Sequence, residues 1–231
     1  MKRIKNADLP VSLVLLASFG IWTLLIQQVD VRPIGPEGTT VGMAAFNGWF
    51  HGITGVHMTL YTITDWLGLV PILICMCFGV VGAVQLFRRK SLLKVDPDIL
   101  LLGIYYLLVI AAYLLFEMIP INYRPVLIDG VLEASYPSST TLLVLSVMPT
   151  LVFQAGRRWK SSSGRRTISF FAVSFSVFMV VGRLISGVHW ATDIIGSVLL
   201  SSGLYMMYRF SVRIAGRGKS GGTEKRRHDG V

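Results

Sequence analysis

Residues 181–196, "VGRLISGVHWATDIIG", place His189 and Asp193 four apart. At the start of a helix that spacing puts both side chains on one face. The carboxylate can then hold one imidazole nitrogen while the other is left to attack an electrophile or accept a proton. Taken alone, the pair is equally what a helix-end histidine with Asp193 as first-turn dipole partner would look like. Arg183, six residues before His189, favours the chemical reading, because a guanidinium there can fork two oxygens of a phosphate beside the imidazole. A second clamp comes from another stretch, "NYRP", where Arg124 precedes the stiff Pro125. A third stretch, "YPSSTTLLVLSV", sets Ser138, Ser139 and Thr140 at the mouth of an apolar helix, where backbone N–H groups favour anions. The chemistry these types point to is attack on phosphorus by an imidazole, with guanidinium groups holding the oxygens.

The elements that must position these residues are membrane spans. The 231 residues are 53% hydrophobic and 15% charged, with a mean hydropathy of +0.63, which excludes an ordinary soluble domain. Runs long enough to cross roughly 30 Å of hydrocarbon lie at about 10 to 29, 67 to 87, 99 to 117, 139 to 156, 167 to 184 and 190 to 209. In lipid every backbone polar group needs an internal partner, so the expectation is an all-α bundle of six transmembrane helices. The first run reads as a true span rather than a cleavable signal, since it is long and lacks an A-x-A-like site. Cys75 and Cys77 sit two apart in the second run, cannot face one another, and read as lipid-facing or packing residues.

Charge orients the bundle. The net charge is +10, but it is distributed as a topology signal and not as a nucleic-acid surface. Of 22 Lys and Arg, 19 fall at the two ends of the chain and in the connections after the second and fourth runs, leaving Arg32, Arg124 and Arg183 for the other side. The positive-inside rule then predicts cytoplasmic termini, and puts "NYRP", "YPSST" and the His189 segment together on the outer face of a multi-pass cell-membrane protein. Residues 1–211 make the six-span domain, and the charged, Gly-rich tail 212–231 reads as disordered. No cluster of metal ligands is visible, and no cofactor is implied.

Those three stretches resemble, in order, the motifs of the type-2 phosphatidic acid phosphatase superfamily, which includes the vanadium haloperoxidases. That pattern is Lys, six residues, Arg-Pro; then Pro-Ser-Gly-His; then Ser-Arg, five residues, His, three residues, Asp. Arg124 and Pro125 match the first, Pro137 and Ser138 the second, and Arg183, His189 and Asp193 the third at the same spacing. The resemblance implies a membrane lipid phosphatase in which His189 forms a phosphohistidine and Asp193 orients it. Arg124, Arg183, Ser138, Ser139 and Thr140 would surround the phosphate, and no metal would be needed.

Four residues depart from the pattern: Glu117 stands in place of the Lys, Ser139 and Thr140 in place of Gly-His, and Gly182 in place of the Ser before Arg. In the resembled family the second-motif His protonates the departing alcohol, a role worth roughly 10²- to 10⁴-fold for a general acid, and Thr140 cannot fill it. The loss is least costly when a phosphate departs, its second pKa being about 6. The expected substrate is therefore a lipid diphosphate, such as a polyprenyl diphosphate, ahead of a phosphomonoester. His51 and His57, in the connection between the first two runs, are candidates for a substitute acid, and Glu117 is an accessory group. The alternatives are a non-catalytic relative that binds or transports lipid phosphates, and a lipid phosphotransferase.

Overall fold

A computed structural model describes residues 7–228, with side chains as far as Gly216. Its helices are α1 (Asp8–Gln28), α2 (Ala44–Thr54), α3 (Met58–Leu67), α4 (Leu69–Arg89), α5 (Pro97–Met118), α6 (Ser139–Arg158), α7 (Ser162–Ile185) and α8 (Ala191–His228). No strand is formed among the described residues, so the all-α expectation holds.

Among the described residues, five segments are long and apolar enough to cross a membrane: α1, α3 with α4, α5, α6 and α7. The sixth expected run forms the first half of α8, which is helical but carries Asp193, Ser197 and Ser201, all buried. That polarity is tolerable because α8 lies inside the bundle, against α1, α5 and α6. A buried serine in a helix stays satisfied by bonding a carbonyl, and Ser197 Oγ does so with Asp193 O and Ser138 O, both at 2.9 Å. The expectation for the tail 212–231 falls largely outside the described side chains.

Apolar packing joins the helices in two groups. Leu102, Tyr105 and Val109 of α5 meet Leu142 of α6 and Leu200, Tyr208 and Val212 of α8. Val144 and Met148 of α6 meet Ala172 and Met179 of α7. α6 thus stands at the centre, and its carboxyl end joins the basic end of the bundle. There Arg158 pairs with Asp98 at 2.9 Å, Arg89 with Asp96 at 2.7 Å, and Arg213 with Asp8. The three motif stretches lie at the opposite end.

Two irregular segments cap that opposite end. The α5–α6 connection folds back on itself: Arg124 N donates to Glu133 O at 3.0 Å and Ser135 N to Asn122 O at 2.9 Å. Its tip is Asp129–Gly130, with φ of 49° and 77°, the Asp-Gly pairing that favours a tight turn with both φ positive. The α1–α4 connection wraps over the mouth as α2 and α3.

Candidate active site

The α7–α8 loop carries His189 and is held down by α2 and α3. His57 N donates to Ser186 O at 2.9 Å, and His51 Nε2 lies 3.1 Å from Gly187 O. The carbonyl can only accept, so Nε2 of His51 carries the proton. Gly187 has φ of +70°, and a Cβ there would come within 1.9 Å of Gly55 O. Only glycine permits both that dihedral and that approach. Asn47 extends the strap, donating through Nδ2 to Thr192 Oγ1 at 3.0 Å.

His189 is buried, with Nδ1 3.1 Å from Ser135 O. Because a carbonyl accepts, Nδ1 is protonated and Nε2 keeps its lone pair. That lone pair lies 3.4 Å from Arg183 Nη2. Burial, and then the positive charges of Arg124 and Arg183, push the imidazole well below its ordinary pKa of 6.5, so the ring is neutral at physiological pH.

Asp193 serves the loop more than the ring. Its Oδ2 sits 3.7 Å from His189 Nδ1, beyond a hydrogen bond. It accepts instead from Trp190 N at 2.9 Å, while Oδ1 accepts from Asn122 Nδ2 at 3.4 Å. The bond that fixes the imidazole is thus to Ser135 O, a backbone group whose residue type carried no signal.

Arg183 and Arg124 converge on His189 from α7 and from the folded-back connection. Both are buried, and Nε and Nη1 of each lack a well-directed hydrogen-bond partner in the structure. Buried N–H groups are nearly always satisfied, so a cluster of unfilled guanidinium donors beside one imidazole has the character of an anion site. Each arginine has one carboxylate at its outer edge: Glu133 Oε2 lies 2.9 Å from Arg124 Nε, and Asp65 Oδ1 lies 3.5 Å from Arg183 Nη1.

A cavity of about 210 Å³ opens beside His189, lined among others by Arg124, Glu117, Glu133, Ser135 and Ser139. Thr140 does not line it; its Cγ2 points to the α3–α4 junction, 3.6 Å from where a Cβ on Gly68 would stand. Ser138 is also turned away, its Oγ donating to Thr141 Oγ1 at 3.1 Å. Neither His51 nor His57 reaches the cavity, and His57 Nε2 lies 2.9 Å from Thr54 O. Glu117 does reach it, at the exposed rim.

Gly182 is explained by a neighbour. A Cβ there would meet Thr64 Cγ2 at 2.8 Å, so the glycine lets α3 pack closely against α7. Sequence reasoning missed Asn122, Glu133, Ser135, Tyr61 and Asp65. Only two signals pointed to them: the Asp129–Gly130 turn, which folds Glu133 back onto Arg124, and the four-residue spacing of Tyr61 and Asp65.

The helical bundle thus holds a neutral, oriented imidazole beside two buried guanidinium groups. Residues 113–213, which contain all three motifs, match the family model described as the PAP2 superfamily. The resemblance read from those motifs is borne out by this match. One solved structure with a similar fold is the "first transmembrane PAP2 type phosphatidylglycerolphosphate phosphatase from Bacillus subtilis". It shows a TM-score of 0.62 and 16% identity over 86% of this chain and 94% of that one. No curated protein sequence matches the chain. Family and fold together support a phosphoric ester hydrolase in the membrane.

Proposed function

We propose that the protein hydrolyses a lipid phosphate, with a preference for a lipid diphosphate, through a phosphohistidine on His189 at the outer face of the membrane. The observation that carries this reading is the lone pair of His189 Nε2, 3.4 Å from Arg183 Nη2, beside two buried guanidinium groups whose Nε and Nη1 make no well-directed hydrogen bond. In the first step Nε2 forms a bond to phosphorus as the bond to the leaving oxygen breaks, and Arg124 and Arg183 hold the transferring oxygens. In the second, water attacks the same phosphorus, the P–N bond breaks, and phosphate departs.

The choice of leaving group rests on the lining. Thr140 is turned away, and His189 is the one imidazole at the cavity among the described residues. An alkoxide leaving group would lack an imidazole donor, whereas a lipid monophosphate leaves without needing one. The outer-face assignment is supported by the separation of the site from the arginine-rich end, as the positive-inside rule requires.

The test is to incubate purified protein with radiolabelled lipid mono- and diphosphates and follow free phosphate and labelled protein. The expected result is faster release from the diphosphate and a label on the protein that disappears in His189→Ala. Equal turnover of both substrates would remove the preference. Label without release would make the protein a phosphotransferase, and neither would leave a binding or transport protein.

A further inference from the structure

The two arginines come from different elements, carry like charges, and lie close enough to repel one another. Something must hold them in register. The ring of Tyr61, on α3, does this for both: its centroid is 4.9 Å from Cζ of Arg183 and 5.7 Å from Cζ of Arg124. Both distances fall within the roughly 6 Å over which an aromatic quadrupole attracts a cation. Asp65, one turn further along the same face of α3, pairs with Arg183. α3 is itself held to α7 by the close approach of Thr64 to Gly182.

We propose that Tyr61 is the positioning residue of the phosphate site, its ring acting as a shared seat that holds the Arg124 and Arg183 guanidinium groups in an anion-binding arrangement. This rests on the phosphate-binding role of those arginines given above. It assigns a further task to the connection between α1 and α4, which also holds the His189 loop. The ring of Tyr61 lies against the two guanidinium groups, so Tyr61 acts through the arginines and not on the substrate.

Inorganic phosphate is a suitable probe, since it needs the arginines but neither the lipid tail nor turnover. Its inhibition constant against lipid phosphate hydrolysis, and its direct binding by calorimetry, should be measured for the wild type, Tyr61→Leu, Tyr61→Met and Tyr61→Phe. Two cation–π contacts of ordinary strength predict a loss of phosphate affinity of roughly 5- to 30-fold in Tyr61→Leu and Tyr61→Met. Tyr61→Phe, which keeps the ring, should recover to within about twofold. Ile63→Ala, an exposed change on the same helix, controls for disturbance of α3. If Tyr61→Leu unfolds, the flexible, similarly sized Tyr61→Met carries the comparison. Unchanged phosphate affinity in a folded ring-less variant, or a Phe variant as weak as Leu, overturns the proposal. A wild type that neither binds phosphate nor turns over lipid phosphate overturns the function itself, a separate outcome.

Discussion

His189 concentrates the chemistry because its surroundings act on one ring: Ser135 O holds Nδ1–H, while burial, and then the charges of Arg124 and Arg183, keep the ring neutral. The pH consequence has a definite sign. The neutral imidazole is the attacking form, and its pKa lies below 6.5 in the folded protein. The acid limb of kcat/KM should therefore fall below pH 6.5, read from a pH–rate profile; a limb centred at or above 6.5 would contradict the burial argument. The same shift means that the unfolded chain takes up a proton near pH 6.5 that the folded one refuses. This group's contribution to stability is thus intact above 6.5 and declines as pH drops from there toward the folded value. Glu117 offers a second residue-scale test. Its carboxylate at the cavity rim opposes a phosphate, so Glu117→Lys should lower KM severalfold, measured with the same lipid substrate; an unchanged KM would place the carboxylate too far away to matter. The convergence of Arg183 and His189 was legible from type and spacing, but the turning away of Ser138 and Thr140 was not. The position of Thr140 in the motif suggested the phosphate site, whereas the start of α6 turns its side chain toward Gly68.

Helices were the readily legible elements, because unbroken apolar runs announce themselves wherever backbone groups must bond internally. The span expected at 139 to 156 appears as Ser139–Arg158, and that at 167 to 184 as Ser162–Ile185. The connections were harder, since their geometry depends on what they touch. In the sequence α2 and α3 stand out only as carriers of His51 and His57, the candidate substitute acids, yet they clasp the His189 loop through those two residues and Asn47. Two glycines test this clasp. Gly187→Ala forces a left-handed dihedral on a residue with a Cβ, at a cost of roughly 1 to 3 kcal/mol, and drives that Cβ into Gly55 O. It should lower the thermal midpoint and abolish most activity. Gly182→Ser, although it restores the residue usual before the motif arginine, should reduce activity through the clash with Thr64. Adding Thr64→Ser, which deletes only Cγ2, should recover much of the loss, in a double-mutant comparison; no recovery would mean that α3 is not held at that contact.

At the scale of the whole molecule, charge is segregated end to end, with the paired acids and arginines of α1, α4, α5, α6 and α8 opposite the mouth that holds His189. Outward exposure of that mouth predicts a labelling pattern in intact cells. With Cys75 and Cys77 replaced, a cysteine at Val131, exposed on the α5–α6 connection, should react with a membrane-impermeant maleimide. One at Leu93, exposed between α4 and α5, should react only after permeabilisation. The reverse pattern would invert the topology. Composition and local order determined by themselves that this chain is a helical membrane protein and that its motif residues share one end, because hydropathy, charge bias and spacing are local and additive along the chain. Which nitrogen of His189 is free, why Gly182 replaces a serine, and what seats the two arginines were decided only by the tertiary structure. Each depends on groups far apart in sequence meeting within a few ångströms: Ser135 O on Nδ1, Thr64 on Gly182, and the ring of Tyr61 beside both guanidinium groups.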